Sequence, residues 1–264
     1  LGFVITFEDL TKITELERDM KEKEKLAAIG ELSANIAHEI RNPLAALRTS
    51  IEMLREGSVP ADKTARVMEI ALHEMDRLNK IITDFLVYSN PRPPEFKEIS
   101  ITAILRETLE MLRASLPGQD IKGLATPGAY EIQLSAEGID ADVFINGDAD
   151  KLKQVFWNLC LNAVQSFGCP AADRDTEEGK IIRISAKKLK EHVRIKFRDN
   201  GCGIKPEILK KIFYPFFTTK RGGSGLGLSI VYRIIQEHMG RINVSSTPGE
   251  GAHFDIILPT GVKE

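Results

Sequence analysis

The sequence predicts an α+β multidomain chain in which an antiparallel helical hairpin forms a dimeric four-helix bundle and is followed by an α/β sandwich. Three observations predict it. From about Asp9 to Glu56 the chain is almost free of Gly and Pro and rich in Glu, Lys, Leu and Ala, the strong helix formers. Asn90-Pro-Arg-Pro-Pro-Glu95 then stops any helix, because proline lacks an amide donor and clashes with the preceding turn. Beyond it, β-rich runs alternate with amphipathic helical ones, the pattern of helices layered on a mixed or antiparallel sheet.

The elements follow in order. Leu1-Gly-Phe-Val-Ile-Thr-Phe7 reads as a closing strand of an upstream domain, and Glu8-Asp-Leu-Thr11 offers helix-capping residues. In the long helix, Ile29, Leu32, Ile36, Ile40, Leu44, Leu47, Ile51 and Leu54 recur at three- and four-residue steps, a seam made for another helix. A turn at Gly57-Ser-Val-Pro-Ala-Asp62 leads to a second series, Val67, Ala71, Met75, Leu78, Ile82 and Phe85, which returns antiparallel to the first. Two such hairpins make a four-helix bundle. The Pro-rich linker is stiff and sets a boundary near 92. The expected divisions are 1–24, 25–92 and 93–264. In the last, helices are expected near 101–115, 149–167 and 229–239. Strands are expected near 130–145, 241–246 and 252–258, with a hairpin of Ile181–Ala186 and Val193–Arg198.

Composition narrows the classes. The 264 residues are 42% hydrophobic and 28% charged with a formal net charge of −2, which gives no electrostatic footprint for nucleic acid. The cysteines, Cys160, Cys169 and Cys202, form no C-x-x-C pair, so neither a disulfide scaffold nor a zinc site is favoured, and a reducing, cytoplasmic setting is expected. No run of about 18 apolar residues exists, so no membrane contact is expected of this stretch. Opening at Leu1 without a Met, the chain is expected to be a fragment whose parent carries sensor or membrane segments upstream.

Four clusters carry chemistry. At about 100° per residue, His38 lies roughly 160–200° from Ile36 and Ile40, so it points from the seam into solvent. Glu39 adjoins it, Asn42 returns to its face one turn later, and Pro43 deprives the carbonyl of Glu39 of its helical donor. An exposed imidazole is a good nucleophile when a carboxylate accepts the proton of its other nitrogen. Asn158 and Asn162, four residues apart, share a helix face, and an Asn carbonyl oxygen suits Mg2+. Asp199-Asn-Gly-Cys-Gly203 ends a strand; its carboxylate can accept from an exocyclic amine such as that of adenine, and its glycines allow close approach. From Phe213 to Leu228, an aromatic block is followed by Thr219, Lys220, Arg221 and glycines 222, 223, 225 and 227, which lead straight into a helix. Backbone amides there make a phosphate site, on a segment expected to act as a mobile lid. The G-x-x-x-x-G-K-[ST] and G-x-G-x-x-G orders are absent, as are H-R-D and D-F-G, which excludes a P-loop, a dinucleotide fold and a eukaryotic-type protein kinase.

Taken in order, His-Glu-Ile-Arg-Asn-Pro at 38–43, Asn-x-x-x-Asn at 158–162, Asp-x-Gly-x-Gly at 199–203, Phe-Tyr-Pro-Phe-Phe-Thr-Thr-Lys at 213–220 and Gly-x-Gly-Leu-Gly-Leu at 223–228 closely resemble a sensor histidine kinase, of the nitrogen-regulation type. The resemblance covers about residues 20–260. It implies the end of a PAS sensor domain and a coiled-coil helix over 1–24, a dimerisation and histidine-phosphotransfer hairpin over 25–92, and a Bergerat-type (GHKL) ATP-binding domain over 93–264.

The resemblance also implies roles. His38 is the phosphoacceptor, Glu39 its proton partner, and Asn42 a residue for dephosphorylating the partner. Asn158, Asn162, Asp199, Gly201, Gly203, Thr219, Lys220, Gly223, Ser224, Gly225, Leu226, Gly227 and Leu228 bind ATP, with Asn162 holding Mg2+. One departure stands out: many relatives carry a phosphate-contacting Lys three residues after the second Asn, where this chain has Gln165. Lys220 or Arg221 would then supply the charge. The implied activity is self-phosphorylation from ATP and transfer to a response-regulator aspartate, in a homodimer with no nucleic-acid partner. Chaperones, mismatch-repair ATPases and topoisomerases share the Bergerat domain, but the His38 helix argues against them.

Overall fold

The structure is a computed structural model that describes Lys12 and residues 36–37, 39–57, 59–89, 92–115, 131–134, 142–168, 180–220 and 223–261. The expected strand at 1–7, the PAS-like segment 1–24 and most of the long helix before residue 36 lie outside the described residues. The chain divides into two compact units, Leu1–Pro91 and Arg92–Glu264.

The first unit is helical. Residues 39–55 form α1, and Gly57 after it takes a φ of 64°, a left-handed conformation that ends helices without a Cβ penalty. A single 3-10 turn, Ala61–Lys63, leads into α2, Thr64–Ser89. Ile36 and Ile81 are buried, but Leu44, Ile51, Met75 and Ile82 of the two apolar series stay 40–52% exposed. One chain does not bury its own seam.

In the second unit, β1 (Lys97–Ser100) pairs antiparallel with β3 (Phe144–Gly147) beside α3 (Ile101–Ser115). The main sheet contains β2 (Glu131–Leu134), β4 (Ile181–Lys188), β5 (His192–Asp199), β6 (Arg241–Thr247) and β7 (Gly251–Pro259), in the order β2-β4-β5-β7-β6. Only β2 and β4 run parallel. The hairpin expected of β4 and β5 forms, and the remaining helices are α4 (Ala149–Ser166), α5 (Pro206–Leu209) and α6 (Gly227–Glu237). The four residues of β1 were not legible as a strand. Its partner β3 lies 44 residues on, so the pairing that makes it a strand is non-local.

Period-two alternation builds the core. Along β5, Val193, Ile195 and Phe197 are buried while Lys196 and Arg198 are exposed. α4 packs on β4 and β5 and lies between α3 and α6; Phe156 on α4 meets Phe197 with ring centroids 5.7 Å apart. The opposite face is polar. Its register sets Arg183 against Arg198, Lys187 against Arg194 and Lys196 against Asp255.

The cysteine expectation fails at one position. Cys202 is disulfide-bonded, because bridging depends on spatial approach, which motif spacing does not report. Cys160 is a buried thiol, pushed up to about 12 by its apolar surroundings. Among the described residues, no helix is long and apolar enough to cross a membrane.

A polar corner anchors the entry to this unit. Asp148 caps α4 by accepting from the Lys151 amide at 3.1 Å, and its other oxygen accepts from the Glu95 amide at 2.9 Å. Lys151 Nζ bonds the Arg92 carbonyl at 2.7 Å and Glu237 at 2.6 Å. His238, 2% exposed, accepts the Asp148 amide at Nε2 (2.9 Å) and lies 2.8 Å through Nδ1 from the Ile234 carbonyl. Those partners fix the neutral tautomer with the proton on Nδ1.

Burial holds His238 below the usual 6.5, with Lys151 adding to that and the Ile234 carbonyl, Asp148 and Glu237 opposing it. The unfolded chain therefore binds more protons than the folded one below about pH 6.5, so stability falls as pH drops from there towards the lowered folded value. Urea midpoints from about pH 7.5 to 5.5 should decline in the native chain. His238→Gln should flatten that decline more than His253→Gln, since His253 is also lowered but less enclosed.

Candidate active site

Two elements, α4 and β5, build the second unit's site. α4 carries Asn158 and Asn162 one turn apart, with Ser166 on the next turn of the same face. Asp199 closes β5 at 5% exposure. Its Oδ1 accepts from the Ser166 hydroxyl at 3.1 Å, the Gly201 amide at 2.9 Å and the Ala252 amide at 3.3 Å. Oδ2 takes none of these bonds. Burial raises the Asp199 pKa, while the three donors and the charge of Lys220 pull it back. One oxygen is thus locked and the other is left for a ligand donor. Gly201 is required here, since a Cβ would collide with Ser166 Oγ.

The segment 213–228 wraps this face. Phe213 packs against Tyr232 of α6 with ring centroids 5.4 Å apart and planes tilted by 42°. Phe216 takes a φ of 61° and Gly225 one of 65°; a Cβ on Gly225 would stand 2.7 Å from Phe216 Cα, so the two ends of the segment cross in close backbone contact. Between them the Thr218 hydroxyl accepts the Lys220 amide at 3.1 Å. Lys220 Nζ reaches α4, bonding Asn162 Oδ1 at 2.9 Å and Gln165 Oε1 at 2.8 Å. Thr219 is exposed, Ser224 and Leu226 are buried, and Leu228 is half-buried within α6. The Gly223 amide bonds the Lys220 carbonyl at 3.4 Å. Gly227 opens α6 where a Cβ would meet Asn158 Oδ1 at 3.4 Å. Gly203 takes a φ of 68°. Arg221 and Gly222 lie outside the described residues.

The predicted residues Asn158, Asn162, Asp199, Gly201, Lys220, Gly225 and Gly227 are therefore brought together. Sequence reasoning missed Ser166 and Ala252, and treated Gln165 only as a departure. Ser166 had a signal, because it continues the four-residue spacing of Asn158 and Asn162. Ala252 had none, as a backbone amide donor leaves no trace in residue type.

Among the described residues, no cluster of three His, Cys, Asp or Glu is arranged to hold a metal ion. The amide oxygens of Asn162 and Gln165 nevertheless converge on an ammonium cation. That donor set fits a hard cation that completes its shell with phosphate and water, as Mg2+ does.

In the first unit, His38 lies outside the described residues. Glu39 is half-buried, and its Oε2 is a buried oxygen without a hydrogen-bond partner. Burial raises its pKa and Arg77 on α2 lowers it. Asn42 is exposed on α1. Arg77→Ala should raise the Glu39 titration midpoint, read from its side-chain carboxyl carbon by NMR. An unchanged midpoint would show that Arg77 does not reach that carboxylate.

Comparison with known proteins places these features. Residues 28–94 match the His Kinase A (phospho-acceptor) domain, and residues 147–262 match the histidine kinase-, DNA gyrase B- and HSP90-like ATPase. The chain is 39% identical to the signal transduction histidine-protein kinase AtoS of Escherichia coli K12, over 98% of this chain and 39% of that protein. It is 36% identical to sporulation kinase E of Bacillus subtilis, over 96% of this chain and 31% of the relative. It is 33% identical to the sensor histidine kinase ZraS of Escherichia coli O157:H7, over 94% and 50% respectively. The chain thus spans between about a third and half of the length of these curated relatives. The crystal structure of histidine kinase ThkA in complex with response regulator TrrA superposes with a TM-score of 0.74 at 29% identity, covering 97% of this chain and 69% of that one. The chain, which joins a phosphoacceptor helical hairpin to an ATPase-type α/β domain, belongs to the sensor histidine kinase family.

Proposed function

We propose that this chain is the catalytic portion of a two-component sensor kinase, which phosphorylates His38 from ATP and passes the phosphoryl group to an aspartate of a response regulator. The observation that carries the nucleotide half is the convergence of Asn158, Asn162, Asp199 and Lys220 on one face, with Oδ2 of Asp199 free of the bonds that lock Oδ1. Residues 25–92 are the dimerisation and phosphotransfer domain and 93–264 the ATP-binding domain, acting in the cytoplasm as a homodimer. The exposed apolar series of α1 and α2 support that dimer.

The chemistry follows from these residues. Asp199 Oδ2 accepts from the exocyclic amine of adenine, and its buried setting rejects a base that presents an acceptor there. The amides of the glycines before α6, with the positive end of that helix, hold phosphate oxygens. Lys220 brings its ammonium to the phosphates, the charge that Gln165 does not carry. Asn162 offers its Oδ1 to Mg2+, which when bound neutralises charge on the phosphates. Glu39 accepts the proton from the imidazole of His38 as its other nitrogen attacks the γ-phosphorus. The bond from that phosphorus to the bridging oxygen then breaks and ADP leaves. Asn42, exposed one turn beyond His38, orients water towards the aspartyl phosphate of the regulator.

The alternative, an ATP-driven clamp without histidine phosphorylation, predicts no acid-labile, base-stable label from γ-phosphate. Asp199→Asn should abolish ATP binding with circular dichroism unchanged, as an amide sets a donor against the adenine amine; normal affinity would remove the assignment. His38→Gln should bind ATP yet take up no label. Asn42→Ala should release phosphate from the phosphorylated regulator at least about tenfold more slowly while self-labelling is kept. A parallel fall in both activities would make Asn42 a positioning residue for His38.

A further inference from the structure

Away from the nucleotide site, the outer face of the main sheet concentrates charge. α4 packs on β4 and β5, and α6 on β6, all from one side. On the other side stand Arg183 and Lys187 of β4, Arg194, Lys196 and Arg198 of β5, and Arg241 of β6. Asp255 stands among them and forms an ion pair with Arg194 at 3.2 Å. The other five cations have no ion-pair partner among the described residues. Arg183 directly opposes Arg198, and Lys187 directly opposes Arg194. Like charges paired across strands destabilise a sheet, and among the described residues only Arg194 has an opposing carboxylate, Asp255. His253 reports the same field: burial lowers its pKa, Asp255 opposes this, and Lys196, Arg198 and Arg194 lower it further.

We propose that this sheet face docks on an anionic phospholipid surface. The cations occupy alternate positions on neighbouring strands, which puts them on one surface at spacings of roughly 5 Å across and 7 Å along the sheet. Such a grid meets a broad array of phosphates. Other anions fit less well. The described residues of the face include no Phe, Tyr or Trp on which bases stack, and no helix projects from it into a duplex groove. Of its large apolar residues, Ile181 is buried and Ile257 is half-buried between Arg194 and Arg241, so an exposed apolar centre of the kind a specific protein interface uses is missing. Contact would be purely electrostatic and weakened by salt. With a net charge of −2 on the chain, the attraction is confined to this face and orients the molecule.

The test is co-sedimentation of the full 264-residue chain with vesicles of phosphatidylcholine, alone or with about one third phosphatidylserine. The expected result is capture by the anionic vesicles only, lost between about 0.1 and 0.5 M NaCl. Lys196→Glu with Arg198→Glu should weaken capture at least about tenfold, with circular dichroism and ATP affinity as in the native chain. If that pair disturbs folding, Lys187→Gln with Arg241→Gln should weaken capture to a smaller extent. Equal capture by neutral vesicles, or undiminished capture of folded variants, would overturn the proposal. So would binding to duplex DNA or polyglutamate at a salt concentration where the anionic vesicles capture nothing.

Discussion

Much of the second unit depends on one carboxylate oxygen. Oδ1 of Asp199 collects a hydroxyl from α4, an amide from the turn after β5 and an amide from β7. Three elements far apart in the chain are registered on that single atom. The arrangement has an energetic cost, because a nearly buried carboxylate loses its hydration, and the raised pKa records the loss. What the fold gains is direction. With Oδ1 saturated, Oδ2 takes none of these bonds and is held at an orientation set by three donors instead of by a freely turning side chain.

The same geometry explains why glycine is demanded nearby. Gly201 packs where a Cβ would strike Ser166 Oγ, and Gly225 packs against the Phe216 backbone with both residues in left-handed conformation. The first lets the turn reach the carboxylate. The second lets the wrapping segment leave and re-enter the fold at nearly one point.

The sequence made most of this legible where the signal was periodic or chemically loaded. The period-two alternation of Val193 to Phe197 and the i, i+4 spacing of Asn158 and Asn162 led directly to β5 and to a common helix face. Angular position put His38 off the apolar seam, and the resemblance gave it and its neighbours Glu39 and Asn42 their expected roles; His38 itself lies outside the described residues. What escaped reading depends on long-range pairing or on backbone groups. The strand β1 exists because β3 lies beside it, and the Ala252 amide has no side-chain signature. Net charge also misled in one respect: a value of −2 for the chain averages over a sheet whose two-residue period sorts cations to one side. Only strand order shows that Arg183, Arg198 and their neighbours stand together.

The reach of Lys220 has a further consequence. Asn162 and Gln165 turn their carbonyl oxygens towards one point, which the Lys220 ammonium occupies. The protein supplies its own counter-charge, so the oxygens need little reorganisation when another cation takes that place. Such a cation competes with a tethered one, and its affinity is set by the difference between the two. By reciprocal linkage, whatever draws the lysine away strengthens cation binding, and a bound cation frees the lysine to the same degree. The wrapping segment and the oxygen pair are thereby coupled by ion exchange, without the helix that carries the oxygens having to move.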